Sequence, residues 1–309
     1  MKHIFNNLCY DDNNELIEGL QLDWIHHEKA RFDSLNLDDK PVTKLGTVIL
    51  FANRWDGNWY HFLAETLHLL HHMFDDNFMK DNGDKLTILL KHPTDNTKYC
   101  YEIIELLGFT KYVQFIEKDH VYRCDQLITS INYHELYNRS KNFHTHNALL
   151  DAIIDNATRT STVTCYDNIY LTREHIDVSD PPYTPKRWII NQSEASKAII
   201  EKGYHSVRVD NLHIRDQIKI IHSAKKIVSF IGAGCDNILF TNDKCMFTVV
   251  YSENPHAWWV ERWSECNAFV PLPALTRHND VHFNPTWGAE DSMNGPYHAD
   301  IGLIHTRLK

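Results

Sequence analysis

Residues 226–240 read KIVSFIGAGCDNILF. A short apolar run rich in β-branched residues, Ile227 to Ile231, breaks at Gly232-Ala233-Gly234 and gives way to a helix-like stretch from about Cys235. Strand, tight turn and helix in that order are the repeating unit of an α/β sheet. Two glycines at such a turn let the backbone come close to a ligand. The N–H groups and positive end of the helix that follows suit an anion such as a diphosphate. Any tight strand-to-helix turn also favours glycine, so on this segment alone phosphate binding and plain turn geometry both stand.

The alternation extends in both directions. The run LGTVILFA at 45–52 has the unbroken apolar character of a strand buried on both faces. Further strands are expected at 86–91, 112–116 and 126–131, with a helix over 98–107 ended by Gly108. A helix-prone segment at 146–158 follows, and strands resume at 168–172, 187–191, 206–209, 226–231 and 246–251. Ser193 is a candidate cap for a helix closed by Gly203, and Asp210 for the helix carrying Ile214, Ile218 and Ile221. After Pro271 the turn residues and lack of period predict a long irregular tail. These elements predict an α/β fold in two domains, 1–165 and 166–309, consistent with 309 residues at roughly 100–200 per domain.

Composition narrows the function classes. The chain is 43% hydrophobic and 23% charged, as in ordinary globular proteins. With a formal net charge of -10 and no Lys/Arg run, it lacks the electrostatic footprint of a nucleic-acid binder. No stretch approaches the ~18 apolar residues needed to span a bilayer, so no membrane span is expected. The seven cysteines are scattered, with no C-x-x-C pair, and read as mostly free thiols in a reducing, cytoplasmic setting.

Three further segments carry candidate chemistry. Residues 58–74 show helical spacing of Trp59, Phe62, Leu63, Thr66, Leu67, Leu70, Met73 and Phe74. At about 100° per residue, His61, Glu65, His68 and His72 fall on the opposite stripe. That stripe fits a solvated face, a general base or a metal site. His61 and Glu65 follow most closely on a strand end, where ligands of open α/β sheets gather, whereas His68 and His72 are expected to face solvent. At 170–173 (YLTR), Arg173 stands at a strand's carboxyl end, where its planar fork matches phosphate oxygens or forms a surface ion pair. Glu253, after the strand at 246–251, is placed for ribose hydroxyls or is an ordinary loop carboxylate. Trp258, Trp259 and Trp263 suit stacking on a sugar or base, or core packing.

Taken in order, these segments resemble the family 61 glycosyltransferases. Asn58, Tyr60, His61 and Phe62 match an N-x-Y-H-F element; Tyr170 to Arg173 match Y-L-x-R; and Arg187, Ile189 and Asn191 match R-x-I-x-N. Gln217 matches a helical Gln, and Gly232-Ala233-Gly234 with Asn237 to Phe240 match the glycine turn and its apolar tail. Three positions depart: Glu65 stands for the usual Asp, Gln192 for Glu, and Ile231 for the His that normally precedes the turn.

The resemblance implies a GT-B type fold, two Rossmann-like domains facing a cleft, and an inverting transfer of a hexose or pentose. The donor is a nucleotide sugar, a UDP-sugar by implication, and the acceptor a hydroxyl of a glycan or other molecule. His61 or Glu65 is the implied base. Arg173, Arg187, Gly232, Ala233, Gly234, Cys235, Asp236, Asn237 and Glu253 are the implied donor contacts, with Asn58 and Tyr60 on the acceptor side. No metal and no cofactor beyond the donor substrate are expected. Ile231 and Gln192 keep open a catalytically silent sugar binder on the same fold. An NAD-dependent oxidoreductase is the weaker alternative, because Asn237 stands where a third glycine belongs.

Overall fold

The computed structural model describes residues 2–5, 8–10, 39–52, 57–95, 97–129, 147–172, 189–252, 268–277 and 297–308. The chain divides into two compact units, Met1–Asn156 and Ala157–Lys309. The division falls inside the helix Asn147–Thr160, earlier than the 165/166 boundary read from the sequence.

The first unit is built on a six-stranded sheet of β1 (Lys2–Phe5), β2 (Leu8–Tyr10), β3 (Val42–Leu50), β4 (Leu86–Leu90), β5 (Val113–Phe115) and β6 (Val121–Ile128), in the order β2-β1-β6-β3-β4-β5. The four strands β6, β3, β4 and β5 pair in parallel. β1 pairs antiparallel with both β6 and β2. The LGTVILFA run explains the centre of this sheet. Val48, Leu50 and Ala52 join Ile4, Leu89 and Tyr122 in one core cluster. Ile49 and Phe51, on the opposite face, are equally buried.

β6 begins upstream of its expected start because Arg123, Asp125 and Gln126 interrupt its apolar pattern. The buried Tyr122 phenol is satisfied at both ends, accepting from Glu117 N at 2.8 Å and donating to Phe115 O at 3.2 Å. Two short helices of this unit are α1 (Trp59–His61) and α2 (Asp76–Asn82). They are followed by α3 (Lys98–Leu106) and by α4 (Asn147–Thr160), which crosses into the second unit. Gly108 ends α3 at φ +76°, with Phe109 N reaching back to Ile104 O, as its place in the sequence predicts.

The second unit holds β7 (Asn168–Leu171), β8 (His205–Val207), β9 (Lys226–Phe230), β10 (Met246–Ser252), β11 (Phe269–Arg277) and β12 (Tyr297–Ala299), in the order β12-β11-β10-β9-β7-β8. All pairs are parallel except β11 with β12. α5 (Gln192–Glu201) joins β7 to β8, α6 (Ile214–Ser223) joins β8 to β9, and α7 (Ile301–Arg307) closes the described chain. α5 packs beside α7, whereas α6 packs on the helical turn after β9. The chain runs from β7 to β8 in one direction and from β8 past β7 to β9 in the other, and by the general right-handedness of parallel crossovers such connections place their helices on opposite faces of a sheet.

Several expectations change here. The N-cap of α6 is His213, which accepts from Arg215 N through Nδ1, and Asp210 pairs with Arg208 at 2.9 Å. Ser193 lies inside α5, which begins at Gln192. Instead of a strand over 187–191, Ile189 makes one isolated parallel bridge to Tyr297, and residues 187 and 188 are outside the described set. The Asn191 side chain binds the backbone of Ala299 twice, accepting at 2.8 Å and donating at 2.9 Å. The expectation of an irregular tail is corrected where the chain is described, since β11 is a nine-residue strand and α7 follows β12, whereas residues 278–296 lie outside the described residues. Pro271 and Pro273 concealed β11. They lie before the stretch where β12 pairs, and their spacing of two turns both nitrogens to the same edge, where no ladder bond is lost.

Two outcomes are expected. Gly46 sits in β3 where an added Cβ would lie 2.8 Å from Lys85 Cβ and 2.9 Å from Lys85 O. Gly46→Ala should therefore destabilise by about 1–3 kcal/mol in denaturant titration. Burial pushes the Cys245 thiol from 9.0 up to about 12. An unfolded chain ionises this thiol first as pH rises, so it binds fewer protons than the folded chain and stability falls above pH ~9. Thermal melts of Cys245→Ala should lose less stability between pH ~9 and ~11 than those of the parent.

Candidate functional site

β9 lies between β7 and β10, and Ile231 N extends its ladder by one bond to Val250 O at 2.9 Å. The chain then turns at Gly232 into a 3-10 helix, Ala233–Phe240, opened by Cys235 N donating to Gly232 O at 2.9 Å. The N–H groups of Ala233 and Gly234 precede that first helical bond. Cys235, Asp236 and Asn237 are 0%, 0% and 1% exposed, so these three side chains face the interior. The Cys235 thiol lies 3.7 Å from Ser229 Oγ and 3.4 Å from Phe230 O. Asn237 donates from Nδ2 to Gly234 O at 2.9 Å and accepts at Oδ1 from Gln217 Nε2 at 2.7 Å. Ala233 is half-buried and Gly234 exposed, with nothing within 4 Å of where its Cβ would be. What this turn presents is therefore backbone, with the Asp236 carboxylate withdrawn from the surface.

Strand order locates the switch point of this sheet. From β7 the chain goes to β8 on one side and then crosses to β9 on the other, so in order of appearance the parallel strands read 2-1-3-4-5. Crevices open at the carboxyl ends of two strands whose connections diverge in this way. Here those strands are β7 and β9, which pair directly with Leu171 opposite Ser229. The YLTR end and the glycine turn thus flank one switch point. Thr172 N bonds to Val207 O at 3.1 Å at the end of β7. Arg173 comes next but lies outside the described residues, as do Arg187, Glu253, Trp258, Trp259 and Trp263.

The first sheet repeats the logic. The chain lays β3, β4 and β5 outward and returns to place β6 on the other flank of β3, which makes β3/β6 its switch point. Residues 57–61 follow β3 closely. Asn58 Oδ1 accepts from Tyr60 N at 3.0 Å and caps α1, and the Tyr60 ring meets His61 edge-on at 4.8 Å. Phe62 is fully buried, 5.8 Å from the Phe51 ring and 4.9 Å from that of Tyr99.

The run after His61 is not a regular α-helix. Phe62–Thr66 is a π-helical turn and Leu67–Phe74 a 3-10 helix. At three residues per turn, side chains three apart eclipse, and the faces become 67/70/73, 66/69/72 and 68/71/74. Leu67, Leu70 and Met73 are buried, as are Thr66 and Leu69. His68 and His71 are half-buried and Phe74 is 38% exposed. The expected histidine stripe is therefore corrected. His68 shares a face with His71, whose Nδ1 lies 2.6 Å from His68 O, while His72 belongs to another face and stacks near His71 and Phe78. His68 and His72 are half-buried rather than solvated. His61 is half-buried, and Glu65 lies in the π turn with its side chain outside the described set.

A cavity of about 600 Å³ opens elsewhere in the second unit, lined by Tyr204, Met246, Thr248, Leu272, Leu303 and Arg307 among others. Met246 and Thr248 start β10, so this cavity lies at the amino ends of the strands and takes in no motif residue. Among the described residues no group of three or more His, Cys, Asp or Glu could hold a metal ion, and no helix is long and apolar enough to cross a membrane.

Two mainly parallel sheets with motif segments at their switch points make this a mixed α/β protein of the class that binds ligands at strand ends. The chain matches the family Glycosyltransferase 61 over residues 59–250, well over half its length, and it belongs to that family. It is a glycosyltransferase, acting between a sugar donor and an acceptor. A search of curated proteins finds no match.

Gln217 and Asn191 match the family pattern but carry no role legible in the sequence, because their partners, Asn237 and Ala299, lie 20 and 108 residues away. Gly234→Ala should fold with stability within about 0.5 kcal/mol of the parent, since the site is open and helical turns tolerate Ala. Melting curves check this.

Proposed function

We propose that the chain is an inverting, metal-independent transferase of GT-B type, with two Rossmann-like domains, that moves a sugar from a UDP-sugar to a hydroxyl of a glycan or similar acceptor. The observation that carries this reading is the meeting of the YLTR end of β7 and the glycine turn of β9 at one switch point. Backbone N–H groups of Ala233 and Gly234 supply donors for diphosphate oxygens, and Arg173, with Arg187, supplies the positive charge. Glu253 follows β10 on the other side of β9 and would take the ribose hydroxyls. Because Cys235, Asp236 and Asn237 are buried, their part in donor binding is to shape the turn.

Asn58 and Tyr60 belong to the acceptor side. In the transfer, a base removes the acceptor hydroxyl proton as its oxygen attacks C1, the C1–O bond to the diphosphate breaks, and configuration inverts. The departing diphosphate, which gains one negative charge with the C1–O electron pair, is stabilised by the arginines and the turn. His61 or Glu65 is the base. The π-helical turn Phe62–Thr66 supports that choice, because such turns are frequent at functional sites. A cytoplasmic location accords with the free thiols of Cys100, Cys124, Cys165, Cys235 and Cys245.

The silent sugar binder rests on one observation. Ile231, where the family pattern has His, is 6% exposed, so an apolar side chain fills the position next to the turn.

Thermal-shift measurements with UDP, GDP, CMP and NAD, with and without manganese, discriminate these readings. A nucleoside diphosphate should raise the melting temperature without metal, and Arg173→Ala should abolish the shift. Removing the base by Glu65→Gln or His61→Ala should lower kcat about 10²–10⁴-fold for whichever residue serves. A shift without sugar turnover favours the silent binder, and a shift with NAD alone sinks the transferase mechanism.

A further inference from the structure

We propose that Gln217 is a positioning residue for the donor turn, acting through Asn237 on the peptide between Gly234 and Cys235. The inference rests on the donor reading above and assigns a role to a pair buried behind the turn. Gln217 lies in the first turns of α6 and is 8% exposed, and Asn237 is 1% exposed. Gln217 Nε2 donates to Asn237 Oδ1 at 2.7 Å, and Asn237 Nδ2 donates to Gly234 O at 2.9 Å.

An asparagine amide has one accepting and one donating end. With a donor from Gln217 holding the oxygen, the nitrogen must face Gly234 O. A flipped amide would set oxygen against carbonyl oxygen and N–H against N–H, losing both bonds.

The same peptide is held at its other end by Cys235 N donating to Gly232 O at 2.9 Å. In a trans peptide the N–H and C=O point in opposite directions, so two bonds fix the plane. Drawing Gly234 O toward Asn237 keeps a partial negative charge away from the exposed backbone where a diphosphate would lie. The N–H groups of Ala233 and Gly234 are left to meet it. Gln217 thereby links α6 to the electrostatics of a turn it does not itself reach.

Gln217→Met fills a similar volume without a donor, and Gln217→Glu presents an acceptor that favours the flipped amide. Each should weaken UDP binding, titrated calorimetrically on folded protein, and raise the donor KM about five- to tenfold while leaving the acceptor KM unchanged. Asn237→Asp keeps the acceptor for Gln217 but loses the donor to Gly234 O, and should reproduce the donor-side defect. A purely structural role would lower the melting temperature and the active fraction with UDP affinity and both KM values unchanged, and that result overturns the assignment.

If these variants do not fold, the parent protein still decides. The Asn237 side-chain amide resonances should keep their hydrogen-bonded shifts when UDP is added, while the Ala233 and Gly234 backbone amides move. Displacement of the Asn237 amide by UDP overturns the assignment. A parent that binds neither UDP nor GDP overturns the donor reading itself, and the assignment with it.

Discussion

A parallel strand has to be reached by a crossover, and where successive crossovers leave one strand in opposite directions, the neighbouring carboxyl ends part and open a crevice. Both sheets are governed by that constraint. In the second, the chain leaves β7 for β8 and returns past it to β9; in the first, it runs from β3 out to β5 and returns to β6. The strands that border each reversal are the ones followed by the motif segments. Their interiors, Val48 to Phe51 in one sheet and Ile227 to Phe230 in the other, are buried throughout and fix the strands that border the two reversals.

Around the second switch point, side chains and backbone divide the work. Cys235, Asp236, Asn237 and Gln217 turn inward, and the turn exposes backbone around Ala233 and Gly234. Backbone recognition suits an anion, since N–H groups on a fixed turn need no reorganisation to bind it. Two glycines, one in each unit, answer to different demands. At Gly46 the backbone of Lys85 leaves no room for a Cβ, whereas at Gly234 the space in front is open. The first is a packing requirement, whereas at the second no atom of the described residues stands in the way.

The segment after β3 shows how local geometry alters a functional reading. Read at 3.6 residues per turn, His61, Glu65, His68 and His72 form one stripe. The run instead passes through a π turn and then winds at three residues per turn, which moves His72 to another face and brings His71 beside His68. The apolar residues Leu67, Leu70 and Met73 fit either winding. Only the intervening positions reveal the difference, Leu69 inside and Phe74 38% exposed.

Contiguous signals were legible in the sequence alone. Apolar β-branched runs located β3, β4, β7, β9 and β10, glycines closed α3 and α5, and the ordered motifs pointed to the family and to the turn after β9. Each depends on neighbours a few residues apart, where burial on both faces or a left-handed cap leaves a direct mark on residue type. What joins distant residues was decided by the tertiary structure. It set the 3-10 winding of 67–74, the strand character of a segment with two prolines, the clamp of Asn191 on Ala299, and the Gln217–Asn237 pair behind the turn. Polar side chains such as these carry no periodic signature, because a hydrogen bond specifies where its partner sits in space and not how far away it lies along the chain.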